Sequence, residues 1–166
     1  MQPFAPVVNR EKLVEMVAAA RSNGASVALA NGCFDLFHAG HIRYLAGAKQ
    51  LADILVVAVN SDAQVRRLKG DGRPFIAAEE RAEIISAFRF VDLVTVFDEP
   101  TVEELIAAIR PDFHAKGTDY TTDSVPERDT VLKYGGRVAI VGDPKDHSST
   151  DLIAIVSGVR KPPAGR

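Results

Sequence analysis

Apolar residues recur along this chain with two alternating periods. Between Asn9 and Asn23, the positions Leu13, Val14, Met16, Val17 and Ala20 share one helix face. A helix is predicted over 9–23, with Asn9 as its N-cap and Gly24 as its stop. Ser26 to Ala30 is a short apolar run that ends at Asn31-Gly32 and reads as the first strand. A second helix is predicted from Ala39 to Ala52, with Ile42, Leu45, Ala46 and Ala48 inward. Ile54 to Val59 is apolar at every position, which is the pattern of a strand buried on both faces, as in a parallel sheet. Further helices are predicted from Asn60-Ser61 to Leu68, over Glu79–Phe88 and Val102–Ile109, ending at Val131–Tyr134 before Gly135-Gly136, and over Thr150–Val156. Between them lie strands at Val91–Phe97, Asp112–Lys116 and Arg137–Val141. Lys69 to Pro74 holds two glycines, a proline and three charges, and reads as a loop.

Strands that alternate with helices imply βαβ units and an α/β fold: a Rossmann-like, doubly wound, parallel five-stranded sheet with helices on both faces. No repeat or linker divides the chain, so residues 1–166 are expected to form a single domain, with a core over 26–158 and a frayed tail over 159–166. In such sheets a ligand sits beyond the carboxyl ends of the strands, at the switch point of the strand order. Three loops meet that description: Asn31–Gly40, Lys116–Tyr120 and Gly142–Thr150.

Composition narrows the partners. Lys plus Arg number 20 and Asp plus Glu 22, for a net charge of −2. No broad cationic field exists to hold nucleic acid or an anionic membrane. Cys33 is the single cysteine, so no intrachain disulfide framework arises. The longest apolar run, Ile54 to Val59, is far short of a membrane span, and Met1 to Val8 does not read as a signal peptide. The expectation is a cytoplasmic protein.

The loop after the first strand carries the chemistry. It reads Asn31-Gly32-Cys33-Phe34-Asp35-Leu36-Phe37-His38-Ala39-Gly40-His41 and leads into a helix. It holds neither a Gly-x-Gly-x-x-Gly fingerprint nor a Walker A loop. His38 and His41 fall three residues apart at the helix N-terminus, hence on one face, where free backbone N–H groups and the positive end of the helix dipole also point. Gly32 and Gly40 leave room for a ligand to approach the backbone. A phosphate chain placed there would meet backbone and imidazole donors. A zinc pair would need further Cys or His ligands, and His114 and His147 stand apart from this loop. Cys33 reads as a small buried thiol.

Gly32-x-Phe34-Asp35-x-x-His38-x-Gly40-His41 resembles the first signature of the HxGH nucleotidyltransferases. The likeness extends through Val59-Asn60-Ser61-Asp62, Val65 to Gly70 with Gly72-Arg73-Pro74, Glu80 to Glu83, Lys116-Gly117-x-Asp119-Tyr120 and Ser148-Ser149-Thr150. These blocks span about Asn31 to Ile155. The Asn60–Pro74 and Lys116–Tyr120 blocks are most similar to the D-glycero-β-D-manno-heptose 1-phosphate adenylyltransferases within that superfamily.

The resemblance implies a fold of nucleotidyltransferase type and transfer of AMP from ATP to the sugar 1-phosphate, with release of pyrophosphate and with Mg²⁺ held mainly by phosphates and water. It assigns His38, His41 and Lys69 to catalysis. For the nucleotide it implies Asn31, Gly32, Cys33, Phe34, His38, Gly40, His41, Lys116, Gly117, Asp119, Ser148, Ser149 and Thr150. For the acceptor it implies Asp35, Asp62, Lys69, Arg73 and Arg81. Read from the residues alone, Asp35 equally suits an Asx turn, Asp62 a helix cap, Arg81 an ion pair on its own helix, and Ser148 to Thr150 an ordinary N-cap. No protein ligand is assigned to a metal. Where the heptose branch usually has an arginine before Ser148, this chain has His147, one fixed positive charge fewer. Many relatives carry this unit behind a sugar kinase, so the kinase step is expected from another chain, and homo-oligomers, dimers among them, are usual. A cytidylyltransferase acting on glycerol 3-phosphate and a non-catalytic nucleotide sensor are the competing readings.

Overall fold

A computed structural model describes residues 4–143 and 149–158. Its strands are β1 (Val27–Gly32), β2 (Ile54–Asn60), β3 (Leu93–Phe97), β4 (Phe113–Lys116) and β5 (Arg137–Ile140). They form one all-parallel sheet in the order β3-β2-β1-β4-β5. The helices are α1 (Arg10–Ser22), α2 (Ala39–Lys49), α3 (Asp62–Lys69), α4 (Ala78–Ser86), α5 (Glu103–Ile109), α6 (Arg128–Leu132) and α7 (Ser149–Val156). The strand order reverses between β1 and β4, so the doubly wound sheet predicted from the alternation is the one observed.

The uniform apolarity of β1 and β2 has a simple cause: both faces of the sheet are covered. Val27, Leu29, Val56 and Ala58 pack with α1, α5 and α6 through Leu13, Val17, Leu105, Ile106, Ile109 and Val131. Ala28, Ala30, Leu55, Val57 and Val59 face the other way, onto Leu45 and Ala48 of α2 and Ala82 and Ile85 of α4. Alternate residues of each strand therefore feed two separate cores.

The helix boundaries depart from the periodicity where side chains compete for the backbone. Helix α2 ends at Lys49, not Ala52: Lys49 pairs with Asp92 at 2.7 Å, and the chain then turns so that Asp53 can accept from the Ser26 N–H (2.9 Å) and hydroxyl (2.7 Å). Ile42 is 40% exposed rather than inward, because Leu45 and Ala48 are the α2 residues buried against the sheet, and Ala46 is only half-buried. Strand β3 begins at Leu93 rather than Val91, since the Asp92 carboxylate accepts the Leu55 N–H at 2.7 Å in place of a ladder bond. Helix α4 closes at Ser86 and α6 at Leu132, each short of the predicted end.

One element went unread in the sequence. Residues 5–8 run along the outer edge of β3: Ala5 N–H donates to Ser86 O, Val94 N–H to Pro6 O and Val8 N–H to Val94 O, at 2.8–3.0 Å.

The Gly135-Gly136 pair does more than stop α6. Gly135 takes the left-handed conformation (φ +87°), whereas a side chain at Gly136 would place its Cβ 2.9 Å from the Pro111 carbonyl oxygen and 2.7 Å from the Tyr134 ring. Gly136→Ala is accordingly expected to lower the unfolding free energy by about 1–3 kcal/mol, read from urea denaturation. An unchanged midpoint would show that β5 can shift to make room.

Candidate functional site

A cavity of about 600 Å³ opens above the carboxyl ends of β1 and β4, at the switch point. Its volume lies in the range of small-molecule sites. Among the predicted residues it is lined by Asn31, Gly32, Cys33, Phe34, Asp35, His38, Gly40, His41, Lys69, Arg73, Lys116, Gly117 and Asp119. Parts of all three loops singled out from the sequence are thus brought together, the third through Gly142 and Asp143. Ser148 and His147 lie outside the described residues. Ser149 and Thr150 open α7, as expected of a helix N-terminus, and their side chains also lie outside what is described.

The β1–α2 loop is built around Phe34. This residue adopts φ +50°, a left-handed conformation rare for a bulky side chain, and its ring is 4% exposed. The ring lies over Gly32, where an added Cβ would come within 3.2 Å of it. Gly32 thus lets the Phe34 ring pack close against the backbone, and a side chain there would push the ring by a few tenths of an ångström. The same ring meets His41 edge-on at 5.3 Å and contacts Phe37 and Tyr44 at 6.1 and 6.5 Å. His38 and His41 stack with ring centroids 3.8 Å apart. The His38 backbone N–H donates to His41 Nδ1 at 3.3 Å, so the proton of a neutral His41 ring resides on Nε2, as a donor. Burial, with the positive neighbours His38 and Lys69, lowers the His41 pKa to about 4. The neutral donor form is the one present at pH 7.

Asp35 is 2% exposed and its carboxylate is engaged by its own neighbours. One oxygen accepts the N–H groups of Phe75 (2.7 Å) and Ile76 (3.2 Å), and the other accepts Arg73 Nε. These contacts, to residues some forty positions away, are not those of a local Asx turn but those of a loop anchor. It fixes the 70–76 loop against the β1–α2 loop and leaves Arg73 on the cavity wall, its guanidinium 4.7 Å from the Phe75 ring. Lys69 ends α3 and is exposed at the rim. Arg81 does not reach the cavity. Its side chain is fully buried and donates to Ile76 O, to Cys33 O and to Asp62 at 2.7 Å. Its carboxylate partner sits on α3, not on its own helix, while the backbone carbonyls of Cys33 and Ile76 take its other donors. Asp62 neither caps α3, a task taken by Ser61 (3.2 Å to the Gln64 N–H), nor lines the cavity. Asp62 and Arg81, both implied for the acceptor, are thus paired with each other outside the cavity lining. The Cys33 thiol is raised in pKa by burial, in keeping with an inert side chain.

The far wall contains residues the sequence reading passed over. The β1–β4 ladder stops at Ala30↔Ala115. Beyond it, the Tyr44 hydroxyl bridges the strands, donating to Ala115 O (2.8 Å) and lying 3.3 Å from the Asn31 N–H. Lys116, 7% exposed, pairs with Glu127 at 3.2 Å and sits 5.3 Å from the Tyr120 ring. Burial pulls the Lys116 pKa down, and the Glu127 carboxylate opposes that pull. Tyr44, Thr118, Tyr120, Glu127 and Arg43 all line the cavity. Glu127 alone could have been sought from the sequence: a strand-end lysine facing a buried site needs a carboxylate, and Val125-Pro126-Glu127 offers one directly after two apolar residues. Among the described residues, no group of three or more His, Cys, Asp or Glu side chains is placed to hold a metal ion. No described helix is long and apolar enough to cross a membrane.

His114 is also a buried neutral ring, lowered to about 3 by burial and by Lys116. In the unfolded chain His41 and His114 would each take up a proton near 6.5. The native state binds fewer protons below that value, so its stability falls as the pH falls. Denaturation between pH 6.5 and 5 should show a slope approaching about 1.4 kcal/mol per pH unit for each histidine, and His114→Gln should remove one share. A flat profile in this window would show that these rings are charged in the fold.

The family model for cytidylyltransferase-like proteins matches residues 29–155, a span that contains the whole cavity wall described above. "Bifunctional protein HldE" of Pelobacter propionicus is 47% identical over 147 residues, covering 89% of this chain and 30% of that protein. The protein of the same name in Geobacter sulfurreducens is 47% identical over 149 residues, 90% of this chain and 30% of its own length. The chain thus spans about 30% of the length of the curated relatives it matches. Among solved structures, the lipopolysaccharide core biosynthesis protein from Thermoplasma volcanium is similar at a TM-score of 0.63 and 28% identity, covering 74% of this chain and all of that one. With the stacked histidines at the start of α2 and the switch-point cavity in place, the matched span settles the affiliation: the chain belongs to the cytidylyltransferase-like family of nucleotidyltransferases.

Proposed function

We propose that this chain transfers AMP from ATP to D-glycero-β-D-manno-heptose 1-phosphate, yielding ADP-heptose and pyrophosphate for a lipopolysaccharide or a related heptose glycan. The observation that carries the reading is the convergence of His38 and His41, at the N-terminus of α2, with Lys69, Arg73 and the β4 loop in one cavity. The similar protein named for lipopolysaccharide core biosynthesis supports the glycan setting, and the Asn60–Pro74 and Lys116–Tyr120 blocks support the sugar phosphate. ATP and a sugar 1-phosphate are its partners, and the need for ATP sets the cytoplasm as its place of work.

In this reaction an anionic oxygen of the acceptor phosphate attacks the α-phosphorus. One P–O bond forms, the bond to the β-phosphate bridging oxygen breaks, and pyrophosphate leaves. The attacking oxygen carries no proton, so no general base is needed. The protein's task is alignment and neutralisation of charge. The α2 N–H groups and the His41 Nε2–H are donors for oxygens whose charge grows in the transition state. Lys69 and Arg73 would supply cationic charge at the rim. Mg²⁺, which favours phosphate and water oxygens, would arrive on the triphosphate and neutralise it. The donor set described here suits that arrangement, since the Asp35 carboxylate is already occupied by Arg73, Phe75 and Ile76.

Pyrophosphate release with Mg²⁺, ATP or CTP, and heptose 1-phosphate or glycerol 3-phosphate tests this directly. Release is expected with ATP and the heptose phosphate. Release only with CTP and glycerol phosphate would replace both substrates, and none with any pair would remove the enzymatic reading.

His41→Ala is expected to lower kcat by about 10²–10³-fold while changing ATP affinity far less. Equal losses in both would mean that His41 binds the ground state as strongly as the transition state.

A further inference from the structure

His114 takes no part in the reaction as drawn, yet it is fully buried beside the cavity wall. It lies on the sheet face shared by Asn31 and Lys116, at the point where β1 and β4 part. Its Nε2 stands 3.1 Å from Asn31 Oδ1, and the Lys116 ammonium stands 3.1 Å from the same oxygen. These two contacts fix what the atom must be. An ammonium group can only donate, so the atom it meets is an acceptor, the amide oxygen rather than the nitrogen. The imidazole Nε2 facing that oxygen must then carry the proton. His114 Nδ1 is buried without a hydrogen-bond partner, so a second ring proton would have no acceptor and the ring stays neutral. Lys116 is held in turn by Glu127 at 3.2 Å, and Asn31 itself lines the cavity.

With its oxygen tied down by two donors, the Asn31 amide has one orientation, and its NH₂ group is directed away from His114 and Lys116. We propose that Asn31 presents this NH₂ group to the cavity as a fixed donor for an acceptor atom of the bound nucleotide, with His114 and Lys116 as positioning residues that prevent the amide from flipping. The inference rests on the nucleotide-binding reading above and adds a direction to it. A free asparagine amide exposes its oxygen or its nitrogen with little preference, and an oxygen turned toward a phosphate or a base carbonyl would repel it. The buried chain from Glu127 through Lys116 to Asn31 removes that alternative before the ligand arrives, which is preorganisation in the strict sense.

Asn31→Asp separates this role from a merely structural one. The carboxylate is isosteric and keeps both buried bonds, but turns an acceptor toward the cavity. Calorimetric titration with ATP should show about tenfold or greater loss of affinity, at an unchanged or raised Tm. Adenosine, titrated alongside, locates the contact: a loss confined to ATP assigns it to a phosphate oxygen, and a loss in both assigns it to the nucleoside. Wild-type affinity for ATP in Asn31→Asp would overturn the proposal. The positioning role is read from coupling. His114→Phe should weaken ATP binding when Asn31 is present and add nothing to Asn31→Ala, whereas His114→Gln, which retains a donor, should restore most of the affinity. Losses that simply add would overturn the assignment of His114.

Nitrogen-15 NMR of the unliganded protein judges the orientation independently of any ligand. The His114 ring is expected in the Nε2–H form across pH 5–9, and the Nδ1–H form would overturn the clamp even if ATP binds. If the wild-type protein binds neither ATP nor CTP while the Nε2–H form is found, the clamp stands as a conformational fact. The functional reading and the donor role of Asn31 both fall in that case.

Discussion

Two parallel strands that diverge expose backbone and side-chain polar groups at the place where a ligand must fit. In this protein β1 and β4 separate after Ala30 and Ala115, and the gap is bridged from three sides. Tyr44 reaches over from α2 to Asn31 and Ala115, Lys116 reaches across from β4 to the Asn31 side chain, and Glu127 closes the arrangement at the start of α6. Each contact answers the cost of a buried polar group. The consequence is a gap that stays open without collapsing. The cavity exists because the strands part, and it keeps its shape because the parting is internally hydrogen-bonded.

The opposite wall follows the same logic with different residues. Asp35 and Arg81 are both buried, and both bind backbone groups of the segment that carries Arg73, Pro74 and Ile76. A loop bearing two glycines between α3 and α4 would otherwise be free to swing. Anchored at Asp35 on one side and beneath Cys33 and Ile76 on the other, it delivers Arg73 to the cavity. Buried polar residues thus hold the segment whose Arg73 faces the cavity, and Arg81 pairs with Asp62 outside the cavity lining.

The succession of strands and helices was legible because burial on both faces of a parallel sheet writes itself as continuous apolar runs, as in Ile54 to Val59. The β1–α2 loop was legible because its glycines and histidines cluster within eleven residues. The pairs Asp35–Arg73, Asp62–Arg81 and Lys116–Glu127 were not. Each joins residues on separate elements, and a charged residue looks the same in sequence whether it meets water or a buried partner. His114 has no partner legible in the sequence, although the alternation within β4 places it on one sheet face with Lys116, and the strand register adds Asn31 to that face. The left-handed Phe34 had no signal at all, since the space that permits it is the missing Cβ of Gly32.

The short segment over residues 5–8 has a bearing on how molecules of this protein can meet. A bare β3 edge would be a template for another strand, from a neighbour or from a misfolded copy. Here Ala5 to Val8 already engage Ser86 and Val94, and Pro6 has no N–H to offer to a strand arriving from outside. Growth of the sheet past β3 would have to strip this segment away first.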